Sequence, residues 1–211
     1  MLKIKKLRLP GPFLIEPKIF RDKRGFLYET WNEELYFKSK IKSKIVQVVY
    51  SHSKKNTLRG IHFQYPNLQG KLVSVINGKI FDVIVDIRKK SPYFGKWFGL
   101  ILDSKKKQQL WVPEGFGHGY LVLSKSANII YKCTCKYYPK NQRNIIWNDP
   151  DIKIKWPIKK PILSKKDSLG IELRKIKNLP RMLWGDNANF CPPTFRTAYK
   201  KFCPLQTPIV R

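Results

Sequence analysis

The stretch KLVSVINGKIFDVIVDI (71–87) carries the signal that sets the fold class. It is dense in Val, Ile and Phe, whose branched or flat side chains suit a pleated, half-buried surface better than a helix. Asn77-Gly78 interrupts the run, and this dipeptide favours the left-handed backbone of a tight turn. The stretch therefore predicts two strands joined as a hairpin at Asn77-Gly78. Outward from it, GKWFGLILD (95–103), QQLWVPEGFGHGYLVLS (108–124) and ANIIYKCTCKYY (127–138) continue the pattern. Gly, Pro, Asn and Ser punctuate it at intervals of roughly ten residues, the rhythm of an antiparallel sandwich or barrel. One short helix is predicted before residue 160, over WNEELYFKSK (31–40), with Asn32 as its cap and Glu33 and Glu34 in its first turn.

The 211 residues predict one domain with a tail. Residues 1–167 form the domain, with a barrel core over about 45–150. Residues 168–211 form a Pro- and aromatic-rich extension with no clear period. It is expected to wrap the barrel, because bare aromatics are costly in water. An apolar content of 42% and an aromatic content of 13% supply a real core and argue against disorder. No apolar run approaches the roughly 20 residues that span a bilayer. The basic N-terminus lacks the apolar core and cleavage site of a signal peptide, so a soluble cytoplasmic protein is expected.

The 43 Lys and Arg against 14 Asp and Glu give a formal charge of +29. Such a charge attracts polyanions through counterion release. The lysines, however, are spread along the chain, and their enrichment beside isoleucine fits biased codon usage. A small anionic substrate is thus preferred to nucleic acid as the partner. Of the four cysteines, Cys133 and Cys135 lie two apart in an expected strand and share a face. None has zinc spacing, so no metal is expected and the thiols are read as free and buried.

Polar residues that point into such a barrel could do chemistry. His62 is one of three histidines and sits in LRGIHFQ (58–64). Spacing alone leaves it as a packing histidine or a base. Arg59 has the opposite parity, and a bulge at Gly60 would bring both side chains into one site. His118 lies between Gly117 and Gly119, which suits either a turn or a close backbone approach. Tyr131 shares a stripe with Cys133 and reads as core or as a buried phenol beside a base. Lys166 and Asp167 form a charged turn, unless Asp167 reaches a histidine and selects its tautomer. Arg24, with Asp22 and Glu29 near it, is a surface turn or a phosphate fork. Neither a phosphate-binding loop of the nucleotide-triphosphatase kind nor a dinucleotide fingerprint is present.

Together, FRDKRGFLYE (20–29), LRGIHFQ, QGKLVSVINGKIFDVIVDIRKKSPYFGKW (69–97), QLWVPEGFGHGYLVLS (109–124), YKCT (131–134), IIWNDPDIKIKWP (145–157) and LSKKD (163–167) resemble the dTDP-4-dehydrorhamnose 3,5-epimerase family. The pieces stand in the family's order over roughly residues 10 to 167. The resemblance implies an all-β, cupin-like jelly-roll barrel with short peripheral helices, a homodimer, and no metal or other cofactor. It implies a dTDP-keto-sugar substrate epimerised at C3 and C5. His62 is then the base, Asp167 its partner, Tyr131 the proton donor, and Lys71 a cation near the keto oxygen. Arg24, Glu29, Gln47, Arg59, His118, Gln142 and Lys166 fall on substrate-binding positions. Two positions depart from the family. Gln47-Val48-Val49 stands where Gln-x-Asn is usual, and Gln142, eleven residues after Tyr131, stands where glutamate is usual. A single-site epimerase on a related nucleotide sugar is therefore the alternative enzyme. A basic binding protein without catalysis is the alternative of another class.

Overall fold

The computed structural model describes residues 2–181. In chain order the elements are β1 (Lys3–Lys6), β2 (Phe13–Glu16), β3 (Phe20–Asp22), β4 (Gly25–Leu27), α1 (Glu33–Lys38), β5 (Gln47–Lys54), β6 (Leu58–Gln64), β7 (Lys71–Asn77), β8 (Lys79–Asp86), β9 (Trp97–Asp103), β10 (Gln109–Val112), β11 (Phe116–Val122), β12 (Ser126–Cys133), β13 (Gln142–Asn144) and α2 (Lys165–Ser168). One six-stranded sheet runs β1-β2-β10-β7-β12-β5, and a five-stranded sheet runs β13-β6-β11-β8-β9. β5 pairs with β12 and β6 with β11, while β7 pairs with β10 and β8 with β9. This nesting of strand pairs across two sheets is a jelly roll. The six-stranded sheet also takes β1 and β2 from outside the 45–150 span expected for the barrel core.

The hairpin expected at Asn77-Gly78 is not formed. β7 and β8 lie in different sheets, and Gly78 turns the chain from one to the other. The turn residue was read correctly: Gly78 has φ +86. A Cβ there would stand 2.2 Å from the Ser126 carbonyl oxygen, so the corner is closed by a third strand and not by a two-residue loop. Asn-Gly specifies a local reversal, and burial of both strands on two faces decides where the second strand goes.

Between the sheets, Val73, Val75, Ile80, Ile84, Leu110 and Ile129 belong to one apolar cluster. β11 is buried at every position, because both of its faces are covered. Its outer face lies beneath a second cluster that includes Ile61, Phe63, Ile152, Leu173 and Leu179. Residues 171–181 supply part of that cover: Ile171 bridges to Ile145, and Arg181 to Lys89. Residues 182–211 lie outside the described residues. A third cluster, with Phe13, Ile15, Tyr36 and Trp111, covers the other sheet. α1 begins as expected, with the Asn32 side chain accepting from the Leu35 N–H at 3.1 Å. Tyr36 docks the helix by donating to Gln109 Oε1 at 2.5 Å. Cys133 is buried and Cys135 half-buried, whereas Cys191 and Cys203 lie outside the described residues.

Candidate active site

β6 carries the bulge that the sequence suggested. His62 pairs with His118 and Arg59 with Tyr120, so three steps along β6 match two along β11. The extra residue reverses the parity of Arg59 and brings it onto the same face as His62. Gly60 makes this possible. Its φ is +129, and a Cβ would lie 2.5 Å from Gly119 Cα and 2.9 Å from the His118 carbonyl oxygen. The glycine beside His118 thus serves the close strand approach, not a turn. Gly60→Ala should lower unfolding stability by roughly 3 kcal/mol, from backbone strain and steric conflict together. Urea denaturation checks this, and an unmoved midpoint would contradict the account.

A cavity of about 440 Å³ opens between the sheets. The six-stranded sheet contributes Gln47, Val49, Ser51, Lys71, Tyr131 and Cys133. The five-stranded sheet contributes Arg59, His62, Gln64, His118, Tyr120 and Gln142. His62 and Tyr131 therefore approach the same space from opposite sheets. Behind His62, its Nε2 meets Asp167 Oδ1 at 2.5 Å. With Nε2–H donating to that carboxylate, the lone pair is left on Nδ1. Burial pushes the imidazole below its ordinary value, and Asp167 offsets part of this. Burial works to raise the Asp167 carboxyl, but hydrogen bonds from His62, Ser164 and the Gly60 N–H outweigh it and hold the group low. The pair therefore rests as neutral imidazole and carboxylate at neutral pH.

His118 has its own carboxylate, which sequence reasoning missed. Its Nε2–H donates to Asp82, at 2.9 and 3.0 Å from the two oxygens. A signal did exist: Asp82 shares parity with Ile80 and Ile84, so it is a carboxylate on a core-facing stripe that needs a partner. Burial pushes the Tyr131 phenol well up, so it rests protonated. Its ring lies 6.1 Å from His118 and 6.4 Å from Tyr120, centroid to centroid. Tyr120, also missed, sits 3.2 Å from Ser51 Oγ and 3.3 Å from Ser53 Oγ, and Ser53 accepts from Arg59 Nε at 3.0 Å. Burial pushes the Lys71 ammonium down, and Cys133 and Asp82 pull it partly back.

Besides Asp167, which lies behind His62, three expected site residues stand apart from the cavity wall. Lys166 is at its rim, 3.4 Å from the hydroxyl of Tyr137, which lines the cavity. Arg24 is exposed on the β3–β4 hairpin and bound to Asp22 at 2.6 Å. Glu29 accepts from Asn32 Nδ2 at 3.1 Å. A second cavity, of about 410 Å³, is lined by Trp147, Asp149 and Trp156. The Asp149 carboxylate there is occupied by the backbone N–H groups of Asp151, Ile152 and Leu173. Among the described residues no group of three His, Cys, Asp or Glu side chains stands ready to hold a metal ion.

Comparison with known proteins follows the same residues. The family model of dTDP-4-dehydrorhamnose 3,5-epimerase matches residues 6–175. The Salmonella typhimurium enzyme of that name is 48% identical over 172 residues, covering 80% of this chain and 93% of the relative. The Neisseria gonorrhoeae relative is 48% identical over 164 residues, which is 77% of this chain and 50% of that longer protein. The crystal structure of a 3,5-epimerase from Legionella pneumophila, solved in complex with dTDP-4-keto-L-rhamnose, superposes with a TM-score of 0.84. It is 43% identical and covers 87% of this chain and 100% of its own. With the family model spanning the jelly roll and both sides of its cavity, the chain belongs to the dTDP-4-dehydrorhamnose 3,5-epimerase family.

Proposed function

We propose that the chain converts dTDP-4-dehydro-6-deoxy-D-glucose to dTDP-4-dehydro-L-rhamnose by inverting C3 and C5, a step of dTDP-L-rhamnose synthesis. The supporting observation is the opposition of His62 and Tyr131 across one cavity, with Asp167 behind the imidazole. The ketone at C4 acidifies the hydrogens on both neighbouring carbons. His62 Nδ1 takes one of these protons, and the electron pair of the C–H bond moves onto the C4 oxygen as an enolate. Lys71, and His118 held by Asp82, stabilise that oxygen. Tyr131 then gives its proton to the carbon from the opposite face, which inverts the centre. The phenolate regains a proton from solvent, and the imidazolium returns one. Phenol is a far stronger acid than the C–H bond it makes, so a phenol raised by burial still delivers.

Arg59, Gln47 and Gln142 serve the sugar and its diphosphate from the cavity wall. Arg24 and Glu29 are not among the residues lining the cavity that holds His62 and Tyr131. The homodimer would bring them to the partner's nucleotide. Exposed Phe26 and Leu27 on that hairpin, and Val48 and Tyr50 on edge strand β5, leave apolar surface for such an interface. No described helix is long and apolar enough to cross a membrane.

The test is proton NMR of dTDP-4-keto-6-deoxyglucose with the chain in deuterated water. Deuterium should enter at both C3 and C5. Entry at one carbon alone would favour the single-site epimerase, for which Val49 and Gln142 are the supporting departures. A lack of exchange on this and other keto-sugars, with salt-dependent polyanion binding, would favour the non-catalytic reading.

A further inference from the structure

We infer that Ser164 is a positioning residue that fixes which carboxylate oxygen of Asp167 faces His62. The inference rests on His62 acting as the base, and it concerns a side chain outside the cavity wall. α2 is four residues long, and Ser164 caps it. A helix this short gains little rigidity from its own hydrogen bonds. The Ser164 hydroxyl makes two bonds to the same residue. Its oxygen accepts from the Asp167 N–H at 3.1 Å, and its O–H donates to Asp167 Oδ2 at 2.8 Å. Oδ1 is then left to His62. Asp167 is 3% exposed, so no bulk water competes for either oxygen.

The two bonds do different work. The accepted one caps the helix. The donated one ties down the end of the carboxylate remote from the imidazole and withdraws negative charge from it. Loss of the donor would leave only His62 and the Gly60 N–H to hold the carboxylate, loosening it and leaving more charge facing His62. The titratable groups that act on the imidazole are Asp167 from α2, Lys71 from β7 and His118 from β11. Lys71 and His118 oppose protonation of His62, so Asp167 is the group whose strengthening raises its pKa. The sign follows. A more basic carboxylate favours imidazolium, and the acid limb of kcat/KM moves to higher pH.

Three variants separate capping from positioning, with His62→Ala run beside them. Ser164→Ala loses both bonds. kcat should fall about tenfold, as expected for a loosened catalytic group, with KM within about twofold. Its acid limb should rise by about half a pH unit or more. Ser164→Asp keeps a good cap but has no donor and adds a negative charge. It should fold as the parent does and show a larger rise of the limb than Ser164→Ala. Ser164→Thr restores both bonds and should recover most of the lost turnover. If Ser164→Asp matches the parent in kcat and pH profile while His62→Ala is inactive, the base stands and Ser164 is only a cap. If His62→Ala keeps full exchange, the underlying mechanism fails instead.

Discussion

His62→Ala is expected to lower deuterium incorporation at C3 and C5 and turnover together by about a thousandfold, the range expected for loss of a positioned general base. His62 joins three properties. It is an imidazole with a buried carboxylate on one nitrogen. Burial lowers its pKa, so it is neutral when the substrate arrives. It also faces the cavity from the sheet opposite Tyr131. The other cavity histidine, His118, has its Nε2–H committed to Asp82 and lies on the next strand, paired with His62. His62→Asn, which keeps size and polarity, should be equally inactive, and circular dichroism of both variants separates lost chemistry from lost structure. Exchange in folded His62→Ala at the parental rate would remove His62 from the mechanism.

Tyr131→Phe is expected to separate two measurements that fall together in His62→Ala. Only the oxygen is removed, so the ring and its packing on Tyr120 and His118 persist. His62 can still take a proton from one face and return one to that same face. Hydrogen at C3 and C5 therefore still washes out into deuterated water, while inverted product falls by about a hundredfold or more. The ratio of washout to product rises in this variant and stays near parental in Gly60→Ala that remains folded. An equal loss of both readouts in Tyr131→Phe would show that the phenol does not carry the opposite-face proton.

Much of this site was legible in the residues. The bulge at Gly60 was readable because a histidine and an arginine of opposite parity flank a glycine. The helix cap at Asn32 was readable because its partner, the Leu35 N–H, is local. The Gly78 corner was half readable: the dipeptide announced a reversal, but β8 paired with β9 and β11 and not with β7. Asp82 was overlooked although its parity exposed it. Ser164 was overlooked because a serine before a charged turn reads as an ordinary cap until the far side of its hydroxyl is seen.

The alternation of β-rich runs and turn residues was enough for an all-β chain, and ordered motifs carried the resemblance to a family. Both are local properties, because strand period and turn chemistry depend on a residue and its near neighbours. Which strands share a sheet, that His118 is held by Asp82, and that Arg24 and Glu29 stand outside the cavity are not local. His62 and Asp167 are 105 positions apart, and their hydrogen bond exists because α2 packs behind β6. Such pairings depend on the burial of whole strands and on space closed by distant segments, and a one-dimensional pattern holds no measure of that distance.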